Sequence, residues 1–344
     1  MTTGQPSTSV KSVCEPLIDG FGRVHRSLRI SVTDRCNIRC QYCMPAFGAE
    51  FLPNERLLSF DQFANFVRVL APLGINDLRI TGGEPLMRPN LEQLIKMLST
   101  IEGIDDLAIT TNGMFLTEQI QRLVDAGLQR INISLDTLRE STFRTLARRN
   151  GLHDVLSGIA ATKQFPHMTV RLNALVLRDL NMDEIIPLAE FARAQSLPLR
   201  FIEFMPLDAE RAWNKSRMVS GTEVRQMLAS KFGPLNPVPR KDSSQPSIDY
   251  AFADGQGIVG FIDSVTQPFC TSCDRLRLTA EGKMRNCLFG QEEWDMAELL
   301  KQEHLDEQRL VERVRACVAR KKAAHGMEAP GFQPPQRAMF QIGG

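Results

Sequence analysis

The sequence predicts an α/β fold: a partial (β/α)6 barrel of the TIM type with a smaller C-terminal extension. Three observations carry this. Six short apolar runs alternate with helical patterns up to residue 204. Most of the runs are nearly continuous in apolar residues, as parallel strands buried on both faces are. The alternation then stops at a Pro- and Ser-rich segment, "GPLNPVPRKDSSQPSID" at 233–249. Six units are fewer than the eight of a closed barrel, so a partial barrel and a doubly wound open sheet are the two solutions. In both, reactive loops sit at the C-terminal ends of strands.

Taken in order, residues 1–20 begin with "MTTGQPSTSVKSV", polar and without an apolar core, which reads as a disordered lead-in to a cytosolic protein. Residues 21–235 form the barrel, with strands expected at 28–33, 77–81, 107–110, 130–135, 169–175 and 199–204. Helices fall between them, at about 90–100, 117–126, 152–164 and 183–195. Two more start at capping boxes, one pairing Ser59 with Gln62 and one pairing Ser220 with Glu223. Residues 236–344 form the extension, with a helical stretch over 292–322 on which Leu310, Val314, Cys317 and Val318 share a buried face.

The chain has 344 residues, 43% hydrophobic and 24% charged, with a net charge of +1. That is an ordinary globular balance without the excess of Lys and Arg that nucleic-acid binding leaves. No run of eighteen apolar residues suggests a membrane span. The eight cysteines are unevenly placed. Close-spaced cysteines in a reducing compartment suit metals or catalysis better than disulfides.

Cys36, Cys40 and Cys43 lie in "TDRCNIRCQYCMP", directly after the first strand. A cubane iron–sulfur cluster usually takes four thiolates. Three leave one iron open to a small molecule, and the uneven gaps let one loop reach three corners. A zinc loop is the plainer alternative. "TGGEP" at 81–85 follows the second strand, where two glycines permit close approach, or simply a strand-to-helix turn.

A second triplet, Cys270, Cys273 and Cys287, is again three. It suits either zinc, with His304 or Cys14 as a distant fourth ligand, or a second cluster with an open iron. "CDRLRL" places Arg275 and Arg277 two apart, on one side if extended. Arg29, Arg79, Arg171 and Arg200 sit within expected strands. Inward guanidiniums are costly without an anion, so four of them suggest an anionic ligand such as a triphosphate. The alternative is ion pairing with Glu203 and Asp136.

Cys-x3-Cys-x2-Cys with Tyr42 before its last cysteine, followed by "GGEP", resembles the signature of the radical S-adenosylmethionine superfamily. There the open iron holds the amino and carboxylate groups of S-adenosylmethionine. From about residue 20 to the end, the chain resembles the GTP 3′,8-cyclase family of molybdenum-cofactor biosynthesis. The likeness rests on "LRISVTDRCNIRCQYCMP", "RITGGEPLMR", "TTNG", "INISLDTL", "LRFIEFMP", "FCTSCDRLRLTAEGKMRNCLFG" and the final "IGG".

The resemblance implies two [4Fe-4S] clusters, on Cys36, Cys40 and Cys43 and on Cys270, Cys273 and Cys287. It implies S-adenosylmethionine against Tyr42, Gly83, Ser134 and Met205. It implies GTP against Arg29, Arg79, Thr110, Arg171, Arg200, Arg275, Leu276 and Arg277. Arg275 and Arg277, with Gly343 and Gly344 of the tail, are the residues implied in catalysis. Arg171 stands where the family has a lysine, keeping the charge on a planar, longer group. The implied reaction has a 5′-deoxyadenosyl radical take the ribose 3′ hydrogen of GTP, after which the 3′ carbon joins guanine carbon 8. The implied partners are a low-potential electron donor and, for the product, cyclic pyranopterin monophosphate synthase. Neither nucleic acid nor membrane is expected, and the chain is expected as a monomer or homodimer. Two rivals stand beside this reading. One is a peptide-modifying radical enzyme with auxiliary clusters, which typically carries more C-terminal cysteines. The other is a non-catalytic iron–sulfur or zinc protein.

Overall fold

The computed structural model describes residues 15–240 and 242–343. Six strands, β1 (Ser27–Ser31), β2 (Asp77–Thr81), β3 (Asp106–Thr111), β4 (Arg130–Ser134), β5 (Thr169–Leu175) and β6 (Leu199–Ile202), lie side by side in chain order, each parallel to the next. That order decides between the two solutions. A doubly wound sheet reverses its order at a switch point, whereas a barrel runs straight through. This is the partial barrel.

Seven helices cover it: α1 (Phe60–Leu70), α2 (Leu91–Ser99), α3 (Leu116–Asp125), α4 (Glu140–Ala147), α5 (Leu152–Thr162), α6 (Ile185–Ala194) and α7 (Gly221–Phe232). Both expected capping boxes form, Ser59 with Gln62 at α1 and Ser220 with Glu223 at α7. α1 buries Phe63, Phe66, Val67 and Leu70 against the sheet. The helix that sequence reasoning missed is α4, whose "ESTFRTLA" is only 8 residues long and lacks a side-chain cap at Arg139.

The extension does not stand apart from this sheet. β7 (Leu235–Pro237), β8 (Ile248–Phe252) and β9 (Ile258–Ile262) form an antiparallel meander whose β9 pairs parallel with β6. β10 (Arg275–Leu278) pairs parallel with β1, and β11 (Lys283–Arg285) and β12 (Trp294–Asp295) continue antiparallel from it. The result is one 12-stranded sheet, with three added strands at each edge of the barrel.

Two expectations are corrected. The helical stretch over 292–322 is broken into β12, α8 (Ala297–Leu300) and α9 (Glu307–Ala319), because the Asp306 side chain accepts from Arg309 N and starts α9 afresh. Leu310, Val314, Cys317 and Val318 do share its buried face. Of the expected lead-in, 1–14 lie outside the described residues, while 15–20 are held. Leu17 is buried and its N–H donates to Leu73 O at 3.1 Å. A last short helix, α10 (Met339–Ile342), carries the C-terminal tail back to the barrel.

Candidate active site

The first cysteine loop leaves β1 and is tied to the loop after β2. Gly83 N donates to Thr33 O at 2.7 Å and Glu84 N to Arg35 O at 2.8 Å. A Cβ on Gly82 would lie 2.4 Å from Thr33 O, and one on Gly83 would lie 2.4 Å from Arg35 O. The glycines are therefore required because two backbones touch, whatever else they contact. Cys40 O accepts from Cys43 N at 2.9 Å and Met44 N at 3.0 Å, a turn that gathers the last two thiols.

Buried carboxyls brace this loop. Glu84 accepts from Thr111 Oγ1 and Asn112 N, both at 2.7 Å, yet burial pushes its pKa up to about 7. Asn112 in turn donates to Asn37 Oδ1 at 2.7 Å, between the first two cysteines. Asp136 accepts from the Tyr42 hydroxyl and from Leu175 N, and burial raises its pKa to about 6. Sequence reasoning gave none of Glu84, Asn112 and Asp136 this bracing role. "GGEP" and "TTNG" contained the signal for two of them.

All six cysteines of the two triplets line one cavity, about 1950 Å³ of space not filled by protein atoms, its open mouth included. Tyr42, Gly83, Thr110, Ser134 and Met205 line it too. So do five arginines from four strands: Arg29, Arg79, Arg200, Arg275 and Arg277.

Three of these stand abreast. On adjacent parallel strands Arg29 is in register with both Arg277 and Arg79. Neighbouring strands lie about 4.8 Å apart, and like charges directly opposite repel. Burial and then the neighbouring guanidiniums hold Arg29 and Arg79 well below the usual arginine range, and Arg277 at about 9. Glu203 and Asp136 do not pair with them. Glu203 is used by Val265 N, Thr266 N and Gly221 N, and Asp136 by Tyr42 and Leu175. The carboxylate acting on both Arg29 and Arg79 is Asp77, which is 3.3 Å from Arg130. Arg200 does find a partner, Asp249 at 3.0 Å, but its Nε and the Nε of Arg79 are buried without one.

Three expected site residues are placed otherwise. Arg171 shares the lumen-facing side of β5 with Asn173 and Leu175 but sits deeper, outside the cavity wall, where burial and Arg200 lower its pKa to about 10. Leu276 faces away into the core. Gly343 is not in the wall either, but its carbonyl accepts from Arg277 Nη1. Its φ is +76°, and a Cβ there would lie 2.5 Å from Thr81 Cγ2, so the tail passes only as glycine. Gly344 and Cys14 lie outside the described residues.

The thiols suit an iron–sulfur cluster, which thiolates hold. Each cysteine of the two triplets is free, and all six line the cavity. His304, the alternative zinc ligand, is exposed on the surface. The two triplets differ in their surroundings. Burial, with Glu84 near Cys36 and Asp136 near Cys40, pushes both thiols up, Cys36 to about 12. At Cys273, Lys321 and Arg275 outweigh burial and bring the thiol down.

Comparison with known proteins agrees with this geometry. A family model described as the radical SAM superfamily matches residues 30–192, and one described as Molybdenum Cofactor Synthesis C matches residues 197–327. Streptococcus suis SuiB, in a crystal structure bound to S-adenosylmethionine, superposes with a TM-score of 0.55 at 12% identity. That match covers 86% of this chain and 68% of SuiB, and at this identity it speaks for the fold alone. Fold and site define a radical S-adenosylmethionine enzyme. A GTP 3′,8-cyclase of Rhodopirellula baltica is 46% identical over 95% of this chain and 92% of its own, and one of a Mycobacterium species is 40% identical over 99% and 95%. The chain belongs to the GTP 3′,8-cyclase family.

Proposed function

We propose that this enzyme takes S-adenosylmethionine and GTP into this cavity and cyclises GTP to (8S)-3′,8-cyclo-7,8-dihydroguanosine 5′-triphosphate, the first step of molybdenum-cofactor biosynthesis. The observation that carries the reading is the row Arg277–Arg29–Arg79, three arginines in register on adjacent strands, of which Asp77 acts on two while it also lies 3.3 Å from Arg130. A triphosphate supplies the missing negative charge and acceptor oxygens for their forks. A peptide would leave the row unneutralised, and only Cys317, buried in α9, lies beyond the second triplet.

Cys36, Cys40 and Cys43 would hold one [4Fe-4S] cluster, and Cys270, Cys273 and Cys287 the other. When bound and reduced by an outside donor, the first cluster would supply the electron that opens S-adenosylmethionine to a 5′-deoxyadenosyl radical able to take the ribose 3′ hydrogen of GTP; joining the 3′ carbon to guanine carbon 8 would then need one further electron and one proton. The chain's own part is placement and exclusion of water. Tyr42, Gly83, Ser134 and Met205 line the same cavity as the first triplet and would seat S-adenosylmethionine. Arg29, Arg79, Arg200, Arg275 and Arg277, with Thr110, would hold GTP across the lumen, and the charge of Arg171 supports them from below. The Gly343 carbonyl fixes the Arg277 guanidinium from the tail side. The enzyme acts as a monomer or a homodimer. The division of labour follows the sequence, with 21–235 opening S-adenosylmethionine and 236–344 completing the GTP site. We place the enzyme in the cytoplasm, served by a separate low-potential donor and passing its product to cyclic pyranopterin monophosphate synthase.

The test is an anaerobic turnover of reconstituted, reduced protein with GTP deuterated at the ribose 3′ carbon. One deuterium in the 5′-deoxyadenosine formed is the expected result. Unlabelled 5′-deoxyadenosine would keep the radical enzyme and sink the 3′ abstraction. None at all, from protein with intact clusters, would point to a non-catalytic iron–sulfur protein.

A further inference from the structure

Lys321 lies just beyond the end of α9 and is only 5% exposed. Its ammonium sits 3.6 Å from Cys273 Sγ and donates to Arg275 O at 2.8 Å. Among the described residues it has no ion pair with a carboxylate. A buried charge without a counter-ion is costly. The negative charges that favour its ammonium most are the thiolates of Cys273 and Cys287. The lysine is also held in place. Arg23, anchored on Asp19 at 2.6 Å, donates to Cys270 O at 2.6 Å, Lys322 O at 2.7 Å and Ala323 O at 3.2 Å. This clamps the second cysteine loop to the segment that carries Lys321.

Among the described residues no cation is hydrogen-bonded to a sulfur of the first triplet, and Arg39 acts on Cys36 by charge alone. Arg39 donates to the backbone carbonyls Cys36 O at 2.7 Å and Ile38 O at 2.9 Å. The polar side chains at its sulfurs are neutral ones: Asn112 Nδ2 and Asn37 Oδ1, each 3.9 Å from Cys36 Sγ, and the Tyr42 hydroxyl at Cys40. Reduction adds an electron to a cluster that thiolates already make negative. Its potential therefore rises with positive charge and hydrogen bonds at the sulfurs.

We propose that Lys321 is a positioning and tuning residue that raises the reduction potential of the second cluster selectively, setting it above the first. The proposal rests on the two-cluster reading. One cluster thus has only neutral side chains in contact with its sulfurs, with Glu84, Asp136 and Arg39 acting from further off, and suits giving up an electron. The other is left in cationic surroundings, suited to holding one.

The experiment is an EPR-monitored redox titration of the anaerobically reconstituted full chain, unaltered and as Lys321→Met, Lys321→Gln and Lys321→Arg. A full-length variant with Cys36, Cys40 and Cys43 all changed to Ala assigns the second cluster's signal. In both neutral variants the reduced-to-oxidised ratio of that cluster, at fixed applied potential, should fall about tenfold, or about 59 mV for one electron. The first cluster should not move, and Lys321→Arg should stay near the unaltered protein. An unmoved second potential at full iron content would overturn the proposal. So would equal shifts in both clusters, a shift in Lys321→Arg as large as in Lys321→Met, or loss of the second cluster's iron from both neutral variants, which would mark a purely structural lysine. If the triple alanine variant binds no iron while the unaltered chain holds about four, the two-cluster reading itself has failed and the proposal with it.

Discussion

His25 has no exposed surface, and its Nε2 lies 3.1 Å from Asp19 Oδ2. Burial, with the positive charge of Lys321 nearby, lowers its pKa to about 4. The folded state therefore favours the neutral ring. Its contribution to stability is complete above the unfolded pKa of about 6.5 and is lost as the pH falls towards 4. A difference of about 2.5 units corresponds to about 3 kcal/mol at most. Thermal melts of the unaltered chain and of His25→Gln should thus diverge in slope between pH 6.5 and 4.5, with the glutamine variant the flatter. Parallel slopes would mean that His25 titrates as an exposed histidine does. At this scale the sequence was readable where chemistry depends on spacing. Cys36, Cys40 and Cys43 were found because three thiols in eight positions have few uses. The partners of charged groups were not readable. Arg200 pairs with Asp249, 49 positions away, and nothing local marks that acid over Glu203.

The strands show the same division one level up. β2 and β5 have the ends expected from their apolar runs, and the other four barrel strands agree to within two residues, because a buried parallel strand writes itself as a continuous apolar run. β7 to β12 run from 2 to 5 residues, and only the Arg275–Arg277 alternation hinted at one of them. Register was beyond the sequence altogether. Each strand arginine could be picked out singly, but that Arg277, Arg29 and Arg79 stand in one row depends on how β10 meets β1. The row carries its own prediction. With no anion bound, like charges in register cost up to about 1 kcal/mol, so Arg79→Met should raise the thermal midpoint of nucleotide-free protein slightly. The same change removes charge-assisted hydrogen bonds of about 1.5–3 kcal/mol and should weaken GTP binding about tenfold to a hundredfold. Melts without nucleotide and equilibrium titration with GTP test both halves. A destabilised variant that binds GTP normally would show that the row is structural.

The largest scale is where the sequence suggested two parts and the sheet forms one. At the two ends of the Pro- and Ser-rich segment at 233–249, β7 and β8 pair antiparallel. Composition could not reveal that the chain beyond it returns to both edges of the barrel, β9 along β6 and β10 along β1. Those pairings matter for solubility as well as for the site. β1 and β6 are largely apolar parallel strands, and an exposed edge of that kind is a template for association with other chains. Evolution can blunt an edge with charge, proline or a bulge. Here β6 is "LRFI" and β1 is "SLRIS", and the one charge on each points into the lumen wall, where it cannot guard the edge. The extension therefore covers the barrel as much as it completes the cavity. A chain ending at Phe232, with the barrel strands and α1 to α7 intact, should collect as aggregate on expression and stay aggregated on refolding at low concentration. The full chain under the same conditions should stay dispersed. A soluble, monomeric fragment with a cooperative melt would show instead that the barrel is an independent unit and that the strands added at its edges serve the GTP site alone.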